Sequence, residues 1–534
     1  MVNRNYENDK IILEKSKRGV QKFVYGRTIL ILLLVCLQIG LIAFVFNYFG
    51  NYLRIAYSTY TLFSIVIVFI VINRAKSPEI NLSWAIIILS IPAVGAILYL
   101  YVEFQMINRY KNKKLKKIIM ETDHYVVQDE EVMNSLRADS KSTASLAKYL
   151  AKNGSFTVNY ADEVKYFASG EEKFERILSE LKKAEKYIFL EYYIIKEGYM
   201  WGEILDILEE KVKEGVEVRV MYDGMCSFSI LPFKYPKQLQ KLGIKCKMFD
   251  PIYPVLSTHY NNRDHRKICV IDGKVAFTGG INFGDEYINM KHPYGHWKDT
   301  AVMVTGKAVR NFTLMFLQMW NLDPDRDKKT LAVIEENYSD YIDKESDERT
   351  VNKGYVIPYS DSPLDDEPVG KMVYMDIINR AKDYVYFMSP YLVLDHDMVT
   401  ALSFSAKKGV DVRIVLPQIP DKKYAFALAQ NHYKELLTAG VRIYEYVPGF
   451  NHAKVCISDD TIAVVGTINL DYRSLYLNFE CGAILYRVNE IENVKKDYFS
   501  TIELCEEKTL KNYKKKRALL RFVGKIIKPL APLI

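Results

Sequence analysis

The feature of this chain that most restricts its fold is a long internal duplication. In both copies a strand-like apolar run is followed by a helical pattern, a glycine and a second strand-like run. These segments lie at 187–195, 201–214, Gly215 and 216–223 in the first copy, and at 384–392, a stretch ending at Lys408, Gly409 and 410–417 in the second. A further strand pair covers 242–249 and 439–446. A period of roughly 190 residues is too long for a solenoid, so the duplication predicts two tandem α/β domains.

Each copy carries the same polar cluster after its last matched strand. The first copy reads HRKICVIDGKVAFTGGIN and the second reads HAKVCISDDTIAVVGTIN. Both have the spacing His-x-Lys-x4-Asp-x6-Gly-x2-Asn, formed by His265, Lys267, Asp272 and Asn282, and by His452, Lys454, Asp459 and Asn469. Because the chain contains only eight His, two identical spacings at equivalent places indicate a shared function.

The residue types in this cluster suit phosphate chemistry. Residues i and i+2 of a strand point to the same side, so the His and Lys of each copy project together. An ammonium and an amide can hold phosphate oxygens, and an imidazole nitrogen can attack phosphorus or carry a proton. The Asp is expected to begin a tight turn between two strands.

The positive charge of the chain is concentrated in two segments. The net charge is +8, yet residues 105–120 and 508–534 together contain fifteen Lys and Arg and no acid, which leaves −7 for the rest. A mildly acidic body argues against a nucleic-acid groove. The two basic segments instead predict contact with anionic membrane lipids.

Three apolar runs near the N-terminus predict a membrane anchor. They lie at 28–49, 55–73 and 82–104, and each reaches or nearly reaches the length of about 20 residues that a bilayer-spanning helix needs. The basic flanks on both sides of this region favour the cytoplasm, although three crossings would separate them. We therefore expect a multi-pass protein of the cell membrane with its catalytic domains on the cytoplasmic face, and the number of crossings stays open.

The predicted order of segments follows from these patterns. It comprises a basic tail (1–27), a transmembrane region (28–104), a basic linker (105–130), a first α/β domain (131–350), a second α/β domain (351–505) and a basic amphipathic helix (506–534). The last prediction rests on apolar residues that recur at helical spacing from Leu519 to Leu530, with basic residues on the other face. The alternative is a helix docked on the body of the protein.

The sequence predicts neither disulfides nor a metal centre. The seven Cys form no CxxC pair, so buried free thiols in a reducing compartment are expected. No group of His, Asp and Glu has ligand spacing, and two Lys supply the charge that a metal would bring. We therefore expect activity without a cofactor.

The duplicated His-x-Lys-x4-Asp pattern resembles the phospholipase D superfamily. The extensions NLDYRSLYLNFE (469–480) and HWKDT (296–300), the apolar segment 83–101 and the closing PLAPLI are similar to its bacterial cardiolipin synthase branch. The resemblance runs from about residue 55 to the C-terminus, and the apolar run at 28–49 adds to the usual two-helix anchor. It implies two tandem phospholipase D-like α/β domains that form a pseudo-twofold sandwich behind an N-terminal transmembrane helical region.

The resemblance also implies a two-step phosphatidyl transfer without a metal. One His attacks the phosphorus of phosphatidylglycerol, forms a phosphohistidine and expels glycerol. The other His protonates the leaving alkoxide and then activates the hydroxyl of a second phosphatidylglycerol, which yields cardiolipin. We expect His265 to be the nucleophile and His452 the general acid and base, and the reverse assignment stays open.

Further roles are implied by the same resemblance. Asp299 and Glu480 would orient the two imidazoles, with an ordinary surface or ion-pair role as their alternative. Lys267, Lys454, Asn282 and Asn469 would hold the phosphate oxygens, while Asp272 and Asp459 would hold the turns. The competing functions are a phospholipase D that hydrolyses or transphosphatidylates other phospholipids, a nuclease, and a non-catalytic membrane scaffold. The oligomeric state and the use of phosphatidylethanolamine as donor stay open.

Overall fold

The computed structural model describes Gly40 and residues 50–74, 77–103, 106–154, 156–226, 230–251, 262–322, 338–342, 354–365, 367–515 and 518–533. The predicted basic tail at 1–27 and, apart from Gly40, the first apolar run at 28–49 lie outside these ranges.

The strands of the described residues belong to two large sheets and two small ones. They are β1 (Asn159–Tyr160), β2 (Val164–Phe167), β3 (Tyr187–Tyr192), β4 (Glu217–Asp223), β5 (Lys245–Phe249), β6 (Arg263–Asp264), β7 (Lys267–Ile271), β8 (Val275–Gly279), β9 (His296–Lys298), β10 (Ala301–Thr305), β11 (Tyr355–Asp361), β12 (Tyr384–Met388), β13 (Leu392–Val393), β14 (Asp411–Pro417), β15 (Arg442–Tyr446), β16 (Gly449–Asn451), β17 (Val455–Ser458), β18 (Ile462–Gly466), β19 (Leu470–Asp471), β20 (Asn478–Tyr486) and β21 (Cys505–Lys508).

The helices precede, flank and follow these sheets. They are α1 (Gly50–Ile72), α2 (Pro78–Ser90), α3 (Pro92–Glu103), α4 (Met106–Thr122), α5 (Glu130–Asp139), α6 (Lys141–Gly154), α7 (Gly170–Lys182), α8 (Tyr199–Lys213), α9 (Tyr235–Lys241), α10 (Val309–Leu322), α11 (Val369–Arg380), α12 (His396–Lys407), α13 (Lys423–Ala439), α14 (Tyr472–Tyr476), α15 (Ile491–Glu503), α16 (Leu510–Lys515) and α17 (Ala518–Ile527). Short 3-10 helices lie at Asp123–Tyr125, Asp285–Ile288, Gly306–Ala308, Tyr338–Asp340 and Lys528–Leu533.

The two large sheets have the same strand order. The first runs β2-β10-β8-β7-β3-β4-β5 and the second runs β11-β20-β18-β17-β12-β14-β15, with β1 and β21 added at its edges. In each sheet the last three strands of this order are parallel and the others are antiparallel. The duplication in the sequence is therefore a duplication of topology, and the prediction of two tandem α/β domains is confirmed.

The repeated sequence segments form these elements for simple physical reasons. Every residue of β3 and β12 is buried, as expected of central strands covered on both faces. The glycines that follow α8 and α12, Gly215 and Gly409, have φ values of 92° and 101°. These left-handed conformations end a helix and favour glycine, which has no Cβ to clash.

The domains pack through strands that lie beside the polar clusters. β8 and β10 of the first domain contact β18 and β20 of the second. Two short parallel pairings also cross between the domains, β6 with β20 and β9 with β16. One apolar core extends across this contact and includes Ile268 of the first domain and Ile484 of the second. The shared topology of the two sheets thus brings equivalent strands together.

The N-terminal region departs from the predicted spans. Among the described residues, no helix combines the length and the apolar character needed to cross a membrane. The run predicted at 82–104 is divided between α2 and α3 at Ile91, whose φ and ψ are −137° and 75°. The cause is Pro92, because a proline disfavours helical geometry in the preceding residue and is well suited to begin a helix.

The two basic segments also differ from the prediction. The linker 105–130 contains the helix α4, whose Lys111 Nζ lies 2.8 Å from Asp250 Oδ1 of the first domain. The segment 506–534 is not one helix, because its start belongs to β21, which pairs with β15 and extends the second sheet.

The C-terminal helix α17 both docks on the protein and exposes apolar side chains. It packs on α13, where a Cβ at Gly524 would lie 2.2 Å from the Ala427 carbonyl oxygen. On its other side Leu519 is 77% exposed, and Phe522 and Ile526 are each 62% exposed. The docked helix that the sequence left as an alternative is therefore present, together with an unpartnered apolar face.

Candidate active site

His265 lies between β6 and β7 and is held by the other domain. Its Nδ1 is 2.9 Å from Glu480 Oε2, and its backbone N donates to the Phe479 carbonyl at 3.0 Å. Its side chain is almost fully buried. Because Nδ1 is bonded to a carboxylate, the Nε2 atom is left for chemistry.

His452 has the equivalent arrangement in the second domain. Its Nδ1 lies 2.7 Å from Asp299 Oδ2, and its backbone N donates to the Lys298 carbonyl at 2.7 Å. Asp299 belongs to the first domain, so each domain supplies the carboxylate for the histidine of the other.

Strand register shows that the two carboxylates occupy equivalent positions. Ala301 pairs with Gly279 in the first sheet, and Gly482 pairs with Gly466 in the second. Asp299 and Glu480 each lie two residues before these partners. The exchange of carboxylates therefore follows from the packing of two copies of one topology.

Lys267 and Lys454 lie beside their histidines. The Nζ of each donates to the backbone carbonyl of the His two residues earlier in the chain, and both side chains are buried. Burial lowers the pKa of Lys267 to about 8 and that of Lys454 to about 7. Two ammonium groups in a buried site are well placed to receive an anion.

The motif aspartates hold turns and do not face the reacting groups. Asp272 accepts hydrogen bonds from the backbone N of Glu185, Lys186 and Tyr187 at 2.8, 2.7 and 2.8 Å. Asp459 does the same with the backbone N of 382, 383 and 384. Both residues have positive φ, 53° and 50°. They fix the start of β3 and β12 against the strand that follows each His.

Both histidines line one cavity of about 370 Å³ between the domains. Its walls combine the two histidines and other polar groups with aromatic and aliphatic side chains, including Tyr193, Tyr287, Trp297, Tyr391, Leu428 and Phe450. A mostly apolar cavity with a few convergent polar groups is typical of a small-molecule site.

The cavity keeps both imidazoles neutral. Burial, assisted by Lys267 and Lys454, lowers the pKa of His265 well below its usual value. Burial and Lys454 lower the pKa of His452 to about 4, against the opposing effect of Asp299. A neutral imidazole bonded through Nδ1–H to a carboxylate presents an Nε2 lone pair to the cavity.

The two carboxylates differ in charge. Burial raises the pKa of Glu480 to about 7. Burial acts on Asp299 as well, but His452 and Lys454 outweigh it and hold the pKa of Asp299 below its ordinary value. His452 is therefore backed by a carboxylate that is ionised at neutral pH, whereas Glu480 behind His265 titrates near neutrality.

The two asparagines of the clusters also line the cavity. Asn282 Oδ1 accepts from the Ile194 backbone N at 3.0 Å, and its Nδ2 donates to the Tyr287 hydroxyl at 2.8 Å. The Oδ1 of Asn469 has no hydrogen-bond partner among the described residues although it is buried. Both amide atoms of Asn282 are thus hydrogen-bonded to neighbouring residues of the cavity wall, while the Oδ1 of Asn469 is available to a ligand.

Comparison with known proteins agrees with this geometry. The family model described as "Cardiolipin synthase, PLD-like domain" matches residues 177–320 and 374–502, one match in each domain. A cardiolipin synthase of Alkalihalophilus pseudofirmus is 34% identical over 483 residues, which is 89% of this chain and 93% of that protein. The chain belongs to the cardiolipin synthase family of phospholipase D-like proteins. It is accordingly a phospholipid phosphatidyltransferase.

Two further relatives place this phosphatidyltransferase among known sequences and folds. An uncharacterised protein of Streptococcus mutans is 49% identical over 453 residues, covering 85% of this chain and 96% of its own. The crystal structure of phosphatidylserine synthase from Haemophilus influenzae superposes with a TM-score of 0.53 at 17% identity, covering 72% of this chain and 97% of that one. The latter likeness supports the fold.

Several residues of the phosphatidyltransferase site were not singled out from the sequence. The Thr467 hydroxyl donates to Glu480, whereas at the equivalent position in the first domain a Cβ on Gly280 would lie 2.0 Å from Asp299 Oδ1. Lys422 and Arg473 line the cavity and contribute to the low pKa of His265. The Gly-Gly and Gly-Thr corners of the two motifs were a visible signal for the first pair. Lys422 precedes α13 and belongs to no motif, so the sequence contained no signal that would identify it.

The described ranges contain no group of three His, Cys, Asp or Glu side chains with the geometry of a metal site.

Proposed function

We propose that this phosphatidyltransferase transfers a phosphatidyl group between two phosphatidylglycerol molecules to give cardiolipin and glycerol through a phosphohistidine. The observation that carries the proposal is the pair of buried, neutral histidines in one cavity, each bonded through Nδ1 to a carboxylate of the other domain. A double displacement at phosphorus needs a nucleophile and a separate proton carrier, and this arrangement provides both.

In the first step His265 is the nucleophile. Its Nε2 lone pair forms a bond to phosphorus while the bond from phosphorus to the glycerol oxygen breaks. The Nδ1–H of His265 is bonded to Glu480, which stabilises the positive charge that develops on the ring. His452 delivers a proton to the departing glycerol oxygen.

His452 is suited to the role of proton carrier because its carboxylate partner is ionised at neutral pH. The pKa of His452 lies at about 4, and ionised Asp299 supports the protonated ring. An anionic phosphodiester in the cavity would raise the pKa of His452 again, since a nearby negative charge favours the protonated form. His265 lacks a fully ionised partner at neutral pH and therefore stays a neutral nucleophile.

The second step reverses the first with a different alcohol. His452, now neutral, accepts the proton of the head-group hydroxyl of a second phosphatidylglycerol. The hydroxyl oxygen bonds to phosphorus, the bond from phosphorus to Nε2 breaks, and His265 returns to its starting state. Lys267 and Lys454 hold the non-bridging phosphate oxygens in both steps, and Asn469 offers its amide to the same group.

We also propose that the protein works at the cytoplasmic face of the cell membrane. Support comes from exposed apolar side chains on two neighbouring parts of the molecule, among them Leu82 and Leu89 of α2 and Phe522 of α17. α2 and α17 both pack against the 3-10 helix 528–533. Exposed apolar surface of this extent marks a surface for lipid or protein, and the basic residues of the C-terminal segment favour anionic lipid.

A single assay tests the proposed reaction. Full-length enzyme in phosphatidylglycerol vesicles with label in the head group should release free glycerol and form cardiolipin in equal amounts. The competing function is hydrolysis, which would yield phosphatidic acid and glycerol without cardiolipin. Failure to consume phosphatidylglycerol while another phospholipid is consumed would overturn the substrate assignment. His265→Ala serves as the control for contaminating activity.

A further inference from the structure

The C-terminal end of the chain reaches the catalytic cavity. Ala531, within the 3-10 helix 528–533, lines the same cavity as His265 and His452. It is 6% exposed and packs in one apolar cluster with Val393, Leu428 and Tyr472. We call these four residues the apolar wall. The sequence predicted a membrane-surface helix or a docked helix for this segment, and neither prediction placed it at the catalytic cavity.

The segment that carries Ala531 is fixed from both sides. Ser83 Oγ of α2 donates to the Pro529 carbonyl at 2.6 Å, and Ser83 is 1% exposed. α2 is itself tied to the second domain, because Glu79 Oε1 accepts from the His396 backbone N at 3.0 Å. The apolar wall is therefore a built part of the site, held between the N-terminal helices and the second domain.

The phosphate chemistry does not use the apolar wall. Val393, Leu428 and Ala531 have no polar side-chain atoms, so they can contribute only apolar contact to a ligand. A cavity of about 370 Å³ lies near the lower limit for sites of drug-sized ligands, and a diacyl lipid exceeds it. When the phosphorus lies between the histidines, the acyl chains must therefore leave the cavity along an apolar side.

The surroundings of the apolar wall fit such an exit. α2 packs along the segment 528–533 and exposes Leu82 and Leu89 at 59% and 57%. An acyl chain that passes Ala531 would thus meet further apolar surface outside the cavity.

We propose that the apolar wall is the acyl-chain subsite for the lipid whose phosphorus lies between the two histidines, and that the side chain at position 531 sets how well a long chain passes. This inference rests on the proposed function, because it takes a glycerophospholipid as the donor. It assigns a specificity role to the C-terminal segment that is separate from membrane attachment.

The test compares two donors on full-length enzyme in detergent micelles, dioleoyl and dihexanoyl phosphatidylglycerol, with glycerol release as the rate. Ala531→Leu places a larger side chain on the apolar wall and so narrows the passage for an acyl chain. We therefore expect the ratio of kcat/KM for the long donor over the short donor to fall about tenfold, equivalent to about 1.4 kcal/mol. Ala531→Ser keeps the size and sets a hydroxyl against acyl carbons, so the ratio should fall about threefold.

The matched control is Ala518→Leu, which adds the same side chain at an exposed position of the same C-terminal segment and should leave the ratio unchanged. Equal losses on both donors in the two variants at position 531 would show that the segment only supports the fold, and an unchanged ratio in both would show that acyl chains pass elsewhere. Either result overturns the acyl-chain subsite. Product identity is scored separately: phosphatidic acid in place of cardiolipin would overturn the proposed function and leave the ratio test intact.

Discussion

The two domains share one topology but support their histidines differently. Around His265, Arg266 Nε donates to Glu191 Oε1 at 2.6 Å, and Arg263 Nη1 donates to Asp223 Oδ1 at 3.3 Å, all four side chains being buried. At the positions equivalent to Arg263 and Arg266, the second domain has Phe450 and Ala453. The segment that carries His265 is thus fixed by buried charge, and the segment that carries His452 by apolar packing.

The carboxylates differ in the same sense. Thr467 donates to Glu480, whose pKa is raised to about 7 by burial. Gly280 leaves room for Asp299, which stays ionised against His452. Duplication thus supplies two histidines of equal geometry, and divergence of their neighbours gives the carboxylates behind them unequal proton affinity.

The largest expected effect separates the roles of the histidines. His265→Ala and His452→Ala should each lower turnover of phosphatidylglycerol on the order of 10⁴-fold or more. With a nitrophenyl ester of phosphatidic acid, whose leaving group needs no proton, His452→Ala should still form a covalent phosphatidyl-enzyme and accumulate it. His265→Ala should form none. If His265→Ala formed the covalent phosphatidyl-enzyme and His452→Ala did not, the assignment of the two histidines would be reversed.

The second comparison is between the carboxylates, which should have opposite effects on stability. The folded pKa of Asp299 lies below its ordinary value, so its stabilising contribution is present at neutral pH and lost in acid. The folded pKa of Glu480 lies above its ordinary value of 4.5, at about 7, so its contribution is lost as pH rises between these values. Asp299→Asn should therefore destabilise the protein near pH 7, and Glu480→Gln should stabilise it.

Thermal unfolding across about pH 3 to 8 checks this pair of variants. The advantage of Glu480→Gln should vanish toward about pH 4.5, and the deficit of Asp299→Asn should shrink as pH falls below about 4. Both variants should lose turnover about hundredfold or more, because each leaves an imidazole without its carboxylate partner. Shifts of the same sign in both unfolding profiles would refute the proposed difference in charge.

The third comparison concerns the buried charge beneath His265. Arg266→Ala should lower the free energy of unfolding by about 3–5 kcal/mol, because it leaves Glu191 and Asp264 without their cation. The triple variant Glu191→Met, Arg266→Ala, Asp264→Asn places the second-domain residues Met388, Ala453 and Asn451 at the equivalent positions. It should recover most of the stability in denaturant unfolding. If the triple variant is as unstable as Arg266→Ala, the buried charged residues beneath His265 cannot be replaced by the residues found beneath His452.

The smallest effects come from the corners beside the carboxylates. Gly280→Ala should displace Asp299, since the added Cβ would lie 2.0 Å from its Oδ1, and lower kcat/KM about hundredfold. Thr467→Ala removes one hydrogen bond to Glu480 and should lower kcat/KM about tenfold. Thr467→Ser keeps the hydroxyl and serves as the control. Equal rates for Gly280→Ala and the wild type would show that Asp299 does not need its present position.

The sequence alone determined the duplicated topology and predicted the two clusters of His, Lys and Asp. Strand runs, helix-ending glycines and two identical His-x-Lys-x4-Asp spacings are local patterns, and local backbone preferences are enough to express them. The predicted strands at 187–195 and 216–223 are β3 and β4, and the helix between them is α8. The apolar run at 82–104 was a failure of the same reasoning, because composition favoured one span and Pro92 divides it.

Only the tertiary structure decided how those groups are joined. Asp299 and His452 are 153 residues apart in the chain, and Glu480 and His265 are 215 apart, so no spacing rule couples them without the packing of β6 on β20 and β9 on β16. The pKa values of these groups depend on burial and on charges from both domains, which a sequence does not display. The contact of Ala531 with the catalytic cavity is of the same kind. A small apolar residue between two prolines carries no local sign of the site that it lines, and its position arises only because α2 and the second domain hold the C-terminal segment between them.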